Sequence, residues 1–153
     1  MGLFSIFKKK EKKQDLNKEY LSIGDKSFDE QDMLNKNEVY EIFKKYQGYE
    51  ITTNLSDKEK INKIINSLME ELNELKIMCR NYDEYDKKID LRGITLDKVK
   101  KLNILESLAL ITLMQRQDYW TGSTASPYIG YTKSGILPEL INRIISLYEN
   151  KEN

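Results

Sequence analysis

Apolar residues recur most regularly after Ser56: Ile61, Ile65, Leu68, Leu72, Leu75 and Cys79 alternate steps of four and three, and Ile64 widens the stripe. That spacing puts them on one side of a helix, because a helical turn takes 3.6 residues. Ser56 and Glu59 precede the stripe at capping-box spacing, so a helix is predicted from there to about residue 80. The period also suits a short coiled coil, which leaves two readings: a homodimer along the stripe, or a core helix within one chain. In the second reading Cys79 is a small core filler.

Further helices are predicted on both sides of it. Ser27 and Glu30 form another capping-box pair, Leu34, Val39, Ile42, Phe43 and Tyr46 fall near one side, and Gly48 suits a helix end, so residues 28–47 read as helix. Leu16, Tyr20 and Ile23 suggest a weaker helix before Gly24. The segment ILESLALITLM, from Ile104, is apolar nearly all round. Such a helix belongs in the middle of a bundle, and residues 104 to about 116 are expected to be its buried axis, with Asn103 and Glu106 as a cap-like start. Pro138 suits the first turn of a last helix that packs through Ile141, Ile144, Ile145 and Tyr148.

Between these elements the pattern weakens. Residues 81–95 combine acids with Tyr82 and Tyr85 and end near Gly93, which reads as a connector; Leu96 to Leu102 forms a short amphipathic piece. From Trp120 to Gly135 there are three glycines, six Ser or Thr residues, Tyr128, Tyr131 and Lys133, and no acid. This reads as a long ordered loop. The expected fold is therefore all-α: a single-domain helical bundle of about five helices, with a Gly/Ser/Thr/Tyr loop before the last, over residues 14–153. Residues 1–13 stand apart as a basic amphipathic segment.

Composition narrows the chemistry. At 153 residues, 39% hydrophobic and 33% charged, the chain can bury a real core under a highly charged surface. It has no histidine, which removes His-based triads and the commonest zinc ligand. A lone cysteine cannot close an intramolecular disulfide, so a cytoplasmic location is the default. Residues 1–13 hold five lysines and one glutamate, net +4, whereas residues 14–50 hold five basic and nine acidic side chains, net −4. An acidic body argues against nucleic-acid binding, which rests on many Lys and Arg contacts to phosphate.

Acid-rich stretches do not fit metals. Asp83, Glu84, Asp86 and Asp90 lack the sixth-position glycine of an EF-hand loop, where Lys88 stands. Glu70, Glu71 and Glu74 lack the Glu-x-x-His partners of a di-iron bundle and read as a solvated face. No metal or cofactor is expected.

Two regions carry candidate chemistry. Leu3, Phe4 and Phe7 beside Lys8, Lys9 and Lys10 would suit contact with the anionic inner face of a membrane; a packed or frayed N-terminus is the alternative. Gly2 lacks the hydroxyl residue that a myristoylation pattern wants, since Ile6 occupies that place. The apolar stretch follows the first residues and precedes the lysines, the reverse of a secretory signal, so the segment is expected to stay in the mature chain. The second region is the 115–135 loop. Arg116, Asp118, Tyr119, Trp120, Tyr128, Tyr131 and Lys133 would offer stacking faces and polar groups to a partner; in the alternative, Tyr119 and Trp120 plug the end of the core. GYTKS is no phosphate loop, since it has no adjacent Gly-Lys.

Residues 104–148 resemble a family of small uncharacterised bacterial helical proteins, through an apolar helix, a polar turn with Asp118, Tyr119 and Gly122, and a helix after Gly135. The resemblance implies a helical fold and no activity. The expected function is a non-enzymatic cytosolic protein-binding module, of immunity, antitoxin or accessory type, acting as monomer or homodimer on another protein. The alternatives are a small-molecule or phosphate-ligand-binding protein, with or without enzymatic activity, using the 115–135 loop, and a peripheral membrane adaptor using residues 1–13.

Overall fold

Every residue from 107 to 114 is buried, so one helix is shielded on all faces for two turns. A computed structural model describes residues 28–75, 82–121 and 126–150, with side chains from residue 37 onward, and arranges the other helices around this stretch. In chain order they are α1 (Phe28–Tyr46), α2 (Tyr49–Thr52), α3 (Lys58–Glu74), α4 (Tyr82–Ile89), a 3-10 turn (Leu91–Gly93), α5 (Leu96–Val99), α6 (Ile104–Thr121), α7 (Pro127–Lys133) and α8 (Ile136–Glu149). No strand occurs among the described residues, and the fold is all-α. The expected count of about five is too low. The sequence pattern marks the long α1, α3, α6 and α8 and the short piece at α5, and leaves out α2, α4 and α7.

Local signals explain most of the boundaries. Asn103 and Glu106 form a reciprocal cap for α6: the Glu106 carboxylate accepts from the Asn103 N–H at 2.9 Å, and the Asn103 side chain accepts from the Glu106 N–H at 2.8 Å. Gly48, at φ +82°, supplies the left-handed turn between α1 and α2. At α3 the cap is one residue later than Ser56. Asp57 accepts from the Lys60 N–H, while the Ser56 hydroxyl and N–H are held by Asn54.

Packing follows the apolar stripes. Ile61, Ile65, Leu68 and Leu72 of α3 are all 0% exposed, so the stripe is buried within this chain, and α3 lies against α1 and α7. Helix α8 packs on α1, α5, α6 and α7 through Leu137, Leu140, Ile141, Ile144 and Ile145. Burying each such side chain is worth about 1.5–3 kcal/mol. Tyr40 donates to Glu149 at 2.7 Å and Gln47 to Asn142 at 2.8 Å, which fixes α1 against α8 at its solvent edge.

Three expectations need correction. Residues 82–89 are helix, not connector, because Tyr82 and Tyr85 fall on one face and are buried against α6. Asp90 then turns the chain at φ +54° and accepts from the Gly93 N–H at 3.2 Å; a side chain on Gly93 would collide with it. Residues 127–133 are also helix rather than loop: Ser126 caps the Tyr128 N–H, Pro127 opens the first turn, and Tyr128 and Thr132 face inward. Finally, Glu71 is not merely solvated, since it accepts from Lys45 at 2.7 Å and Tyr46 at 2.5 Å across α1 and α3.

Leu3, Phe4, Phe7, Lys8, Lys9 and Lys10, the Ser27 cap and Cys79 lie outside the described residues. Among the described residues no helix is long and apolar enough to cross a membrane, and no three Cys, Asp or Glu side chains are grouped to hold a metal ion.

Candidate functional site

Helix α6 continues to Thr121, five residues beyond the expected end near Arg116, so Gln115 to Trp120 stand on a rigid helix instead of in a loop. The last two turns divide into opposite faces. One face is turned toward α7: Tyr131 donates to the Gln117 side chain at 2.8 Å, and the Ser126 hydroxyl donates to the Asp118 carboxylate at 2.8 Å. The other face carries Arg116, Tyr119 and Trp120, three and four residues apart and therefore neighbours on the helix surface. All three are exposed.

The exposure is large for such side chains. Tyr119 is 78% exposed and Trp120 62%, so they do not plug the end of the core. Arg116 makes no hydrogen bond or ion pair with any described residue. It lies near enough to Tyr82 to act on its hydroxyl, which burial and the neighbouring Asp83 push up against the pull of Arg116 and Arg92. Arg92 is already engaged, reaching Asp83 at 3.7 Å and pairing closely with Asp86, and its N–H donates to Asp86 at 2.9 Å.

The other anticipated residues are dispersed. Tyr128 is 1% exposed and belongs to the core, so it is removed from the candidate surface; burial pushes its hydroxyl well above the ordinary tyrosine value, with Asp118 adding to the effect. Tyr131 is half-buried and committed to Gln117. Its hydroxyl is also raised by burial, against a lowering from the Gln117 bond. Asp118 is held by Ser126 and positions the start of α7. Lys133 ends α7 in an exposed position.

The structure thus assembles Arg116, Tyr119 and Trp120, and assigns Asp118, Tyr128 and Tyr131 to supporting α7. Gln117 and Ser126 were not singled out as positioning residues. The Ser126-Pro127 pair, a cap followed by proline at the first helical position, is the signal that would have revealed α7. Chemically the outward face offers two aromatic rings, the Tyr119 hydroxyl and one guanidinium, groups that can stack and form hydrogen bonds. Comparison with protein-family models, with curated proteins and with solved structures finds no match for this chain.

Proposed function

We propose that this protein is a non-enzymatic binding module that engages another protein through Arg116, Tyr119 and Trp120, in the manner of an immunity, antitoxin or accessory protein. One observation carries the reading: two consecutive large aromatic residues stand 78% and 62% exposed near the end of a helix whose residues 107–114 are all buried. Leaving them in water forgoes burial energy that a partner surface would recover. Tyr, Trp and Arg are also the residues that concentrate binding energy at interfaces. Their position suits the task, because a helix whose preceding turns are packed on all sides holds them with little ordering cost on association.

The test uses the single tryptophan as its own reporter. Tagged protein is returned to the extract of its native cell, and stoichiometric partners are identified with and without Tyr119→Ala and Trp120→Ala. Partner recovery is expected to fall about tenfold or more in the double variant, with a blue shift and reduced iodide quenching of Trp120 in the wild-type complex. A partner retained undiminished by the double variant, with Trp120 fluorescence of the wild-type protein unchanged on binding, would falsify the reading.

A further inference from the structure

A groove of about 850 Å³ runs between α1 and α3; the core residue Ile42 and the half-buried Leu75 are its apolar lining among the described residues, and Glu38, Glu41 and Glu74 lie along it. Those three carboxylates have no hydrogen bond or ion pair with described residues, whereas the neighbouring Glu71 is taken by Lys45 and Tyr46. Lys44 and Lys45 line the same groove, Lys45 held by Glu71 and Lys44 donating to Gln47, so among the described residues its carboxylates outnumber its ammonium groups four to two, beside Leu75. Residues 1–13 carry the complementary pattern, four large apolar residues followed by five lysines, at net +4.

We propose that this basic segment docks in the α1–α3 groove, placing Leu3, Phe4, Ile6 or Phe7 over Ile42 and Leu75 and its lysines on Glu38, Glu41 and Glu74. The tether allows it. From Phe28 to Glu38 the distance along α1 is about 15 Å at 1.5 Å per residue. Residues 14–27 can span about 21 Å if wholly helical and about 46 Å if extended. Because the segment is covalently attached, docking is intramolecular, and even weak contacts are populated at the high effective concentration a short tether gives. In the docked state the apolar residues and lysines are withheld from any anionic surface, so the groove acts as an internal competitor for the segment. The proposal does not depend on the Trp120 face.

Paramagnetic broadening in the full chain tests this, with a nitroxide on Ser5→Cys in a Cys79→Ser background and isotope-labelled amides. Broadening is expected to concentrate at residues 38, 41, 42, 74 and 75. It should weaken at least twofold in about 0.5 M salt, where screening reaches only a few ångströms, and in Glu38→Gln/Glu41→Gln/Glu74→Gln. Should the triple variant lose its helical signal, the salt titration on the unsubstituted groove decides alone. Uniform broadening, none at those amides, or broadening indifferent to salt overturns the proposal. So does broadening that passes undiminished from spin-labelled chains to isotope-labelled chains without the nitroxide, since the occupant is then a second copy.

Discussion

Tyr49 and Thr132 share a buried hydrogen bond, hydroxyl to hydroxyl at 2.5 Å, across 83 positions of the sequence. It joins the first residue of α2 to the last turn of α7, two short helices that have too few residues to be stable alone. Each hydroxyl satisfies the other where water does not reach, which offsets the cost of burying both. Tyr49→Phe should leave the Thr132 hydroxyl without this partner and lower stability by about 1–3 kcal/mol in urea unfolding. Tyr49→Phe/Thr132→Val should cost clearly less than the two single changes summed. Strict additivity would show that the pair is not coupled.

Leu108 is 1% exposed in the middle of the buried turns of α6. Leu108→Asp would place an unpaired carboxylate there, and a loss above about 4 kcal/mol is expected, most of the stability of a domain near the low end of the usual range of about 5–15 kcal/mol. Lys133→Ala, at an exposed site, should stay within about 0.5 kcal/mol of the parent. Circular dichroism melts separate the two, and a cooperative Leu108→Asp melt near the parent temperature would contradict the placement of α6.

Acid should loosen the α1–α3 contact. Burial tends to raise the Glu71 carboxyl, but hydrogen bonds from Lys45 and Tyr46 and the Lys45 charge outweigh it, so its folded value lies below the ordinary one. A lowered carboxyl contributes stability that is present above the unfolded value, about 4.3, and lost as pH falls through the folded value. Glu71→Gln should therefore flatten the acid limb of the stability curve while lowering stability at neutral pH. An acid limb unchanged by the substitution would assign the loss to other carboxylates.

Alkali acts through the tyrosines. Burial pushes the Tyr46 hydroxyl up to about 12, helped by its bond to Glu71, and burial raises Tyr49 and Tyr128 further. A raised hydroxyl stabilises fully below its unfolded value near 10 and loses that contribution as pH rises through the folded value. Tyrosinate absorbance should thus keep rising above the ordinary tyrosine range, with a late stage in which Tyr46, Tyr49 and Tyr128 ionise together with loss of helix. A single non-cooperative rise centred near 10 would show that Tyr49 and Tyr128 are wet.

The reciprocal cap at α6 should be worth about 1 kcal/mol to either partner. Asn103→Ala and Glu106→Ala are each expected to lower the urea midpoint without changing the slope. Asn103→Asp should retain most of the cap, since its carboxylate can accept the same N–H.

Residues far apart in pattern strength were unequally legible. The α3 stripe and the α8 isoleucines could be read directly from their helical spacing, and the α6 run, apolar on all sides, from a length that suits a buried helix better than a strand. The Asn103–Glu106 cap was legible for the same local reason. Tyr82, Tyr85 and Ile89 also had helical spacing, but the acids between them favoured a connector reading. Glycine 130 and the hydroxyl residues hid α7 in the same way.

What the sequence by itself determined was therefore the all-α class and the long helices that supply its core, through a periodicity that only helices can bury. Tertiary structure alone decided the fate of the aromatic residues after residue 116: Tyr128 turned inward, Tyr131 bound to Gln117, and Tyr119 and Trp120 left in water. Short segments and single aromatic residues have no intrinsic preference strong enough to settle this. Their placement depends on which neighbouring surface arrives to cover them, a property of the whole chain's packing.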